Sequence, residues 1–165
     1  MTESMSDLLS NFIACVDQLE AAIAGLSDAQ LDLRPTGGGW SIRQISHHIV
    51  DGDHLWSMFF KQALGKGSSP FALQWYWEFP QDTWASCWAY NERPVEPSIM
   101  LLRANREHII QLLQAIPGSL EGSIQVCWPK GQGQEVTIAD VIGQQTRHVT
   151  GHVEDICAIR RAYGI

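Results

Sequence analysis

Residues 137–163 read TIADVIGQQTRHVTGHVEDICAIRRAY, and this stretch decides the fold. Thr137-Ile138-Ala139-Asp140 opens a helix that runs to about Tyr163. Ile138, Val141, Ile142, Val149, Val153, Ile156 and Ile159 share one direction at ~100° per residue, the stripe of a helix that faces a core. Polar residues interrupt that stripe. On the same helical wheel Gln145 lies roughly 20° from its centre, His152 roughly 40° and His148 roughly 80°. Leaving three such groups buried and unpaired would cost ~1–3 kcal/mol each, so the pattern requires something to satisfy them.

Three further long helices precede this one in the sequence. Leu8, Leu9, Phe12, Ile13, Val16, Leu19 and Ile23 give an amphipathic helix from Asp7 to Leu26. Ser27-Asp28-Ala29-Gln30 forms a capping box for a short turn, and Thr36-Gly37-Gly38-Gly39 is a flexible break. That break lacks the Gly-Lys-Ser/Thr ending of a phosphate-cradling loop. A second capping box, Ser41-Ile42-Arg43-Gln44, opens a helix to about Leu64, before Gly65-Lys66-Gly67-Ser68. Glu96-Pro97 starts another, carried by Ile99, Leu102, Ile109, Leu113 and Ile116 and stopped by Pro117-Gly118. Ile124 to Trp128 alternates as a short strand or extended loop. Residues 68–97 hold Pro70, Pro80, Pro94, Pro97, Trp75, Trp77, Trp84 and Trp88, and read as a connection with short helical pieces. The expectation is an all-α four-helix bundle, a single domain over 1–165, with a long aromatic-rich connection between helices two and three.

Composition narrows the function. The chain has 165 residues, 45% hydrophobic and 18% charged, a globular balance. Eleven basic residues face eighteen acidic ones, a net charge of −7 that disfavours nucleic acid and anionic membrane as partners. No apolar run reaches the ~18 residues of a spanning helix. The opening residues, with Glu3 and Asp7, do not read as a signal peptide. Cys15, Cys87, Cys127 and Cys157 are far apart and read as reduced thiols of a cytoplasmic protein.

The chemistry lies in histidine placement. His148 and His152 are one helical turn apart and share a face. A pair with this spacing also occurs on plain surface helices, so a third residue matters. His47 and His48 are adjacent and point ~100° apart. On the wheel of their helix His48 lies roughly 70° from the apolar centre and His47 roughly 170°, which selects His48 as the inward one. Gly52, one turn on, leaves room beside it. Asp51 is placed either to hydrogen-bond an imidazole or to be a solvated acid. His54 and His108 fall on outer faces. His48, His148 and His152 would bind one divalent ion as neutral imidazoles and leave coordination positions open for water or substrate. Val149 follows His148, so this is no His-Glu-x-x-His motif and supplies no adjacent glutamate base.

These residues resemble a known family. Gly39-Trp40-Ser41-Ile42-Arg43-Gln44-Ile45-Ser46-His47-His48-Ile49-Val50-Asp51 looks like the signature of the DinB-like superfamily. His148 to His152, with Glu154-Asp155-Ile156 and Arg160, looks like its C-terminal element, and Val95 to Ile116 resembles its YfiT-type subgroup of metal-dependent hydrolases. The resemblance implies a four-helix bundle, a homodimer, and a nickel or zinc ion, with iron or manganese as other occupants, held by His48, His148 and His152. It implies a small-molecule substrate and either hydrolysis or transfer of a low-molecular-weight thiol. Asp51 and Gln145 are candidate groups around the ion. The competing expectation is a non-catalytic helical bundle that binds a small molecule or a protein, its metal structural or absent.

Overall fold

A computed structural model of the chain describes residues 4–65, 69–72, 74–128 and 133–165. The expected break at Lys66-Gly67-Ser68, the opening residues with Glu3, Pro129 and the side chain of Trp77 lie outside the described set. Four long helices form the bundle: α1 (Met5–Ile23), α3 (Ile42–Leu64), α6 (Glu96–Ala115) and α7 (Ile138–Tyr163). Short helices α2 (Asp28–Leu31), α4 (Gln74–Glu78) and α5 (Gln81–Cys87) fill the connections. The starts follow local chemistry. Ser27–Gln30, Ser41–Gln44 and Thr137–Asp140 each form a reciprocal capping box that satisfies orphan N–H groups. At the far end of α6, Gly118 adopts φ +70°, a left-handed turn that glycine takes without a steric penalty.

Around the bundle α1 packs on α6 and α7, and α3 packs on the same two helices. The connections α1 to α3 and α6 to α7 therefore cross the bundle diagonally. This crossing puts the two histidine-bearing helices, α3 and α7, side by side.

A small sheet supplements the helices. Only its central strand was legible in the sequence, as β2 (Ser123–Cys127). It pairs antiparallel with β3 (Gln134–Thr137) and parallel with β1 (Phe71–Ala72). Neither flanking strand is long enough to display an alternating pattern. Phe71, Ile124, Val126 and Val136 turn inward and join the core.

The interior divides into two apolar halves. One gathers Phe12, Trp56, Phe59, Phe60, Leu113, Ile138 and Ile142. The other gathers Cys15, Val16, Leu19, Ile45, Ile49, Leu102, Val149 and Ile156. Between them each of α3, α6 and α7 contributes a buried polar residue: Asp53, Arg106 and Gln145. The histidines sit against this polar layer.

Candidate metal centre

His48 comes from the buried half of α3, and His148 and His152 from successive turns of α7. His48 is 2% exposed and the other two are half-buried. Their ring centroids stand 5.0, 5.1 and 4.8 Å apart, with interplanar angles of 76°, 89° and 80°. The three rings thus form a near-equilateral, mutually perpendicular set. One nitrogen from each lies within 4.8 Å of the others, and His48 Nε2 is 3.1 Å from His148 Nε2. Two imidazoles on one tetrahedral ion, at about 2.0–2.1 Å each, bring their nitrogens about 3.3 Å apart, so the donor set fits a shared ion.

The protonation states suit such a ligand set. Burial, then the neighbouring imidazole charges, pushes His48 down to about 3. Burial, then His152 and the Arg106 charge, pushes His148 down to about 4. Both rings are neutral near pH 7 and keep a lone pair for metal. His152 Nδ1 donates to Asp155 Oδ2 at 3.0 Å, which leaves its Nε2 as the free donor. The Nδ1 atoms of His48 and His148 are buried without a partner among the described residues.

Aromatic side chains close over His48. Trp40 meets it edge-on at 4.5 Å and Trp84 lies 6.2 Å away. Trp40 Nε1 donates to Asp82 Oδ1 at 3.0 Å, which ties α5 down beside the cluster. Trp84 is stacked on Trp88 at 5.0 Å and packed against Tyr76 at 4.4 Å. The tryptophan-rich connection therefore forms one wall of the histidine site.

Several expected positions take other places. His47 is not an outward residue: it is fully buried, bonded to Ser98 Oγ at 2.9 Å and the Arg93 carbonyl at 3.1 Å, and stacked on Tyr90. A single apolar centre misjudges it because residues 42–50 of α3 are buried on every side. Asp51 hydrogen-bonds no imidazole among the described residues; its carboxylate faces Arg93 at 3.7 Å. The carboxylate that does hold an imidazole is Asp155, three residues after His152 as Asp51 is after His48. Gly52 faces His148: a Cβ there would sit 3.6 Å from His148 Cε1. Gln145 is buried beside His148, its Oε1 unpartnered and its backbone carbonyl accepting from Arg106 Nη2 at 3.3 Å. His54 and His108 are exposed, as expected.

The Arg106–Asp53 pair was missed. Arg106 Nε and Nη2 donate to Asp53 Oδ1 at 3.0 and 2.7 Å, and Nη1 reaches the Phe12 carbonyl at 2.6 Å and Cys15 Sγ at 2.7 Å. The guanidinium also covers the Phe12 ring at 4.1 Å. A signal existed. Arg106 falls between Leu102 and Ile109 on the stripe of α6, and Asp53 between Ile49 and Trp56 on that of α3. Opposite charges at matching gaps in two apolar stripes predict a buried pair.

Residues 11–156 match the profile of the DinB superfamily. The chain belongs to that superfamily. It is 29% identical over 150 residues to a provisionally named metal-dependent hydrolase of Geobacillus thermodenitrificans, covering 90% of this chain and 79% of the relative. A Bacillus cereus protein with the same provisional name is 26% identical over 162 residues, 98% of this chain and 88% of that one. Among solved structures, YfiT from Bacillus subtilis, described as a probable metal-dependent hydrolase with an unusual four-helix bundle topology, superposes with a TM-score of 0.82 at 20% identity, covering 99% and 91% of the two chains. A mycothiol-dependent maleylpyruvate isomerase superposes with a TM-score of 0.70 at 11% identity, over 94% of this chain and 63% of that one. The likeness to YfiT shows the four-helix bundle fold. No helix of the described residues is long and apolar enough to cross a membrane.

Proposed function

We propose that this chain is a metal-dependent enzyme acting on a small molecule, with one divalent ion, nickel or zinc, held by His48, His148 and His152. The observation that carries this reading is the mutually perpendicular imidazole triad, with donors within 4.8 Å and two rings kept neutral by burial. A divalent ion held by three imidazoles supplies a Lewis acid with open positions, able to lower the pKa of a coordinated water or thiol. Nitrogen donors of this borderline kind suit zinc and nickel.

The chain's own residues set the conditions around it. Asp155 orients His152 through Nδ1. Trp40 and Trp84 exclude water from the His48 side and so strengthen electrostatic interactions there. Gln145 presents an acceptor beside His148. Hydrolysis is the reaction class we favour, supported by the names of the relatives. Thiol-dependent chemistry is the second reading, supported by the mycothiol-dependent neighbour. A homodimer belongs to the same proposal and is tested by light scattering.

Elemental analysis of tag-free protein tests the metal. Wild type is expected to carry about one equivalent of a divalent ion, and His152→Ala to lose it. Wild type that is metal-free and takes up neither added zinc nor added nickel overturns the reading and leaves a non-catalytic binding bundle. A screen comparing ester and amide hydrolysis with thiol-dependent consumption of an electrophile separates the two reaction classes.

A further inference from the structure

Beside His148, between α5 and α7, lies a cleft of about 410 Å³. Gly52, Tyr76, Gln81, Gln145 and Arg147 line it together with His148. Gly52 contributes to its width, because it places no side chain before His148. The lining differs in charge from that of four other cavities, and Arg147 also borders the one that carries Asp140. Four other cavities each carry a carboxylate: Asp155, Asp51, Asp140, and Glu20 with Glu96. This cleft carries none among the described residues, in a chain with a net charge of −7.

Two of its polar groups, the Arg147 guanidinium and Gln145 Oε1, lack partners among the described residues. Arg147 is exposed, and its guanidinium enters no hydrogen bond or salt bridge among the described residues; its backbone carbonyl accepts from the Thr150 hydroxyl at 3.1 Å. Asp140, the acid on which its charge acts, is committed to the Thr137 cap. Gln145 is 3% exposed, and its Oε1 is buried and unpartnered. A buried acceptor with no donor costs stability unless a ligand supplies one. A guanidinium fork matches a carboxylate in geometry and charge.

We propose that this cleft seats the substrate and selects a small carboxylate-bearing molecule, its anion on Arg147 and an N–H or O–H of the same molecule donating to Gln145 Oε1. This deepens the reading above and rests on it in one respect: a molecule so placed lies alongside His148, where the ion would act. The selectivity belongs to the protein side chains and is present without metal.

The test uses metal-free protein, because a carboxylate can also bind a metal directly. N-acetyl-L-leucine carries the anion and an amide donor; N-acetyl-L-leucinamide keeps the donor and lacks the charge. NMR titrations of both into wild type are expected to show the acid binding about tenfold tighter or more. Arg147→Gln removes the preference, Arg147→Lys keeps part of it, and Gln145→Leu weakens both ligands. Arg147 is exposed, so its substitution leaves the fold intact, verified by circular dichroism. Equal affinity for acid and amide in wild type, or a preference that survives Arg147→Gln, overturns the proposal. Its failure leaves the metal content untouched, and a metal-free wild type leaves the carboxylate preference measurable.

Discussion

Asp155 does for His152 what no group among the described residues does for His48 or His148. The carboxylate accepts only, so it fixes the His152 tautomer and ring plane. Asp155 is largely exposed, so removing it should leave the helix intact while loosening the ligand. Asp155→Ala is expected to weaken zinc or nickel affinity about 10–100-fold in a competition assay with a chelator, with an unchanged far-ultraviolet spectrum. Unchanged affinity would show that the ring needs no orienting partner. At this scale the three histidines were legible because polar residues interrupted apolar stripes. Asp155 was not singled out, although its i+3 spacing from His152 matches that of Asp51 from His48; spacing alone does not say which acid turns toward its imidazole. In the folded chain Asp51 faces Arg93, brought in from the connection.

At the scale of elements, helix ends follow from local chemistry and are tested locally. The Thr137 hydroxyl and backbone N–H both bond to Asp140 Oδ2, at 2.6 and 3.0 Å, and these bonds hold the Asp140 carboxyl below its ordinary value. A depressed folded pKa contributes stability above the unfolded value of about 4 and loses it as pH falls through the folded value. Hydrogen-exchange protection at the first turn of α7, the rate taken relative to the intrinsic rate at each pH, should therefore fall below pH ~4 in wild type, and Asp140→Asn should flatten that dependence. Gly118 ends α6 at φ +70° with open space where a Cβ would be, so Gly118→Ala isolates backbone strain. It is expected to cost about 1–2 kcal/mol in urea denaturation, and a neutral result would mean the turn relaxes. The capping boxes at Ser27 and Ser41 and the Glu96 start were readable because each depends on side chains within three residues. β1 and β3 were not, since a two-residue and a four-residue strand exist only through pairing with β2.

The whole molecule is organised by a polar layer between two apolar halves. Arg106 joins all four long helices there: Phe12 and Cys15 on α1, Asp53 on α3, its own α6, and Gln145 on α7. Removing one member leaves the other charge buried and unpaired. Arg106→Ala is expected to destabilise the fold by about 3–5 kcal/mol in chemical denaturation. Arg106→Met combined with Asp53→Leu should recover most of that loss, since an apolar pair of similar volume removes both desolvation costs. A double variant as unstable as the single one would show that the backbone carbonyls bound by Arg106 matter more than the pair.

The sequence by itself determined the four long helices, the capping boxes at Ser27 and Ser41, the bundle class and the three inward histidines, because periodicity and capping operate over a turn or two of chain. The tertiary structure alone decided that the connections cross the bundle and set α3 against α7, bringing residues 48 and 148 to 3.1 Å. It also decided that His47 is buried on the far side of its helix, and that Asp155 orients an imidazole while Asp51 faces Arg93. A helical wheel carries one direction per helix, whereas α3 is enclosed by neighbours on every side along residues 42–50. Which neighbour meets which face depends on the path of the connections, and that path is set by packing across the whole chain.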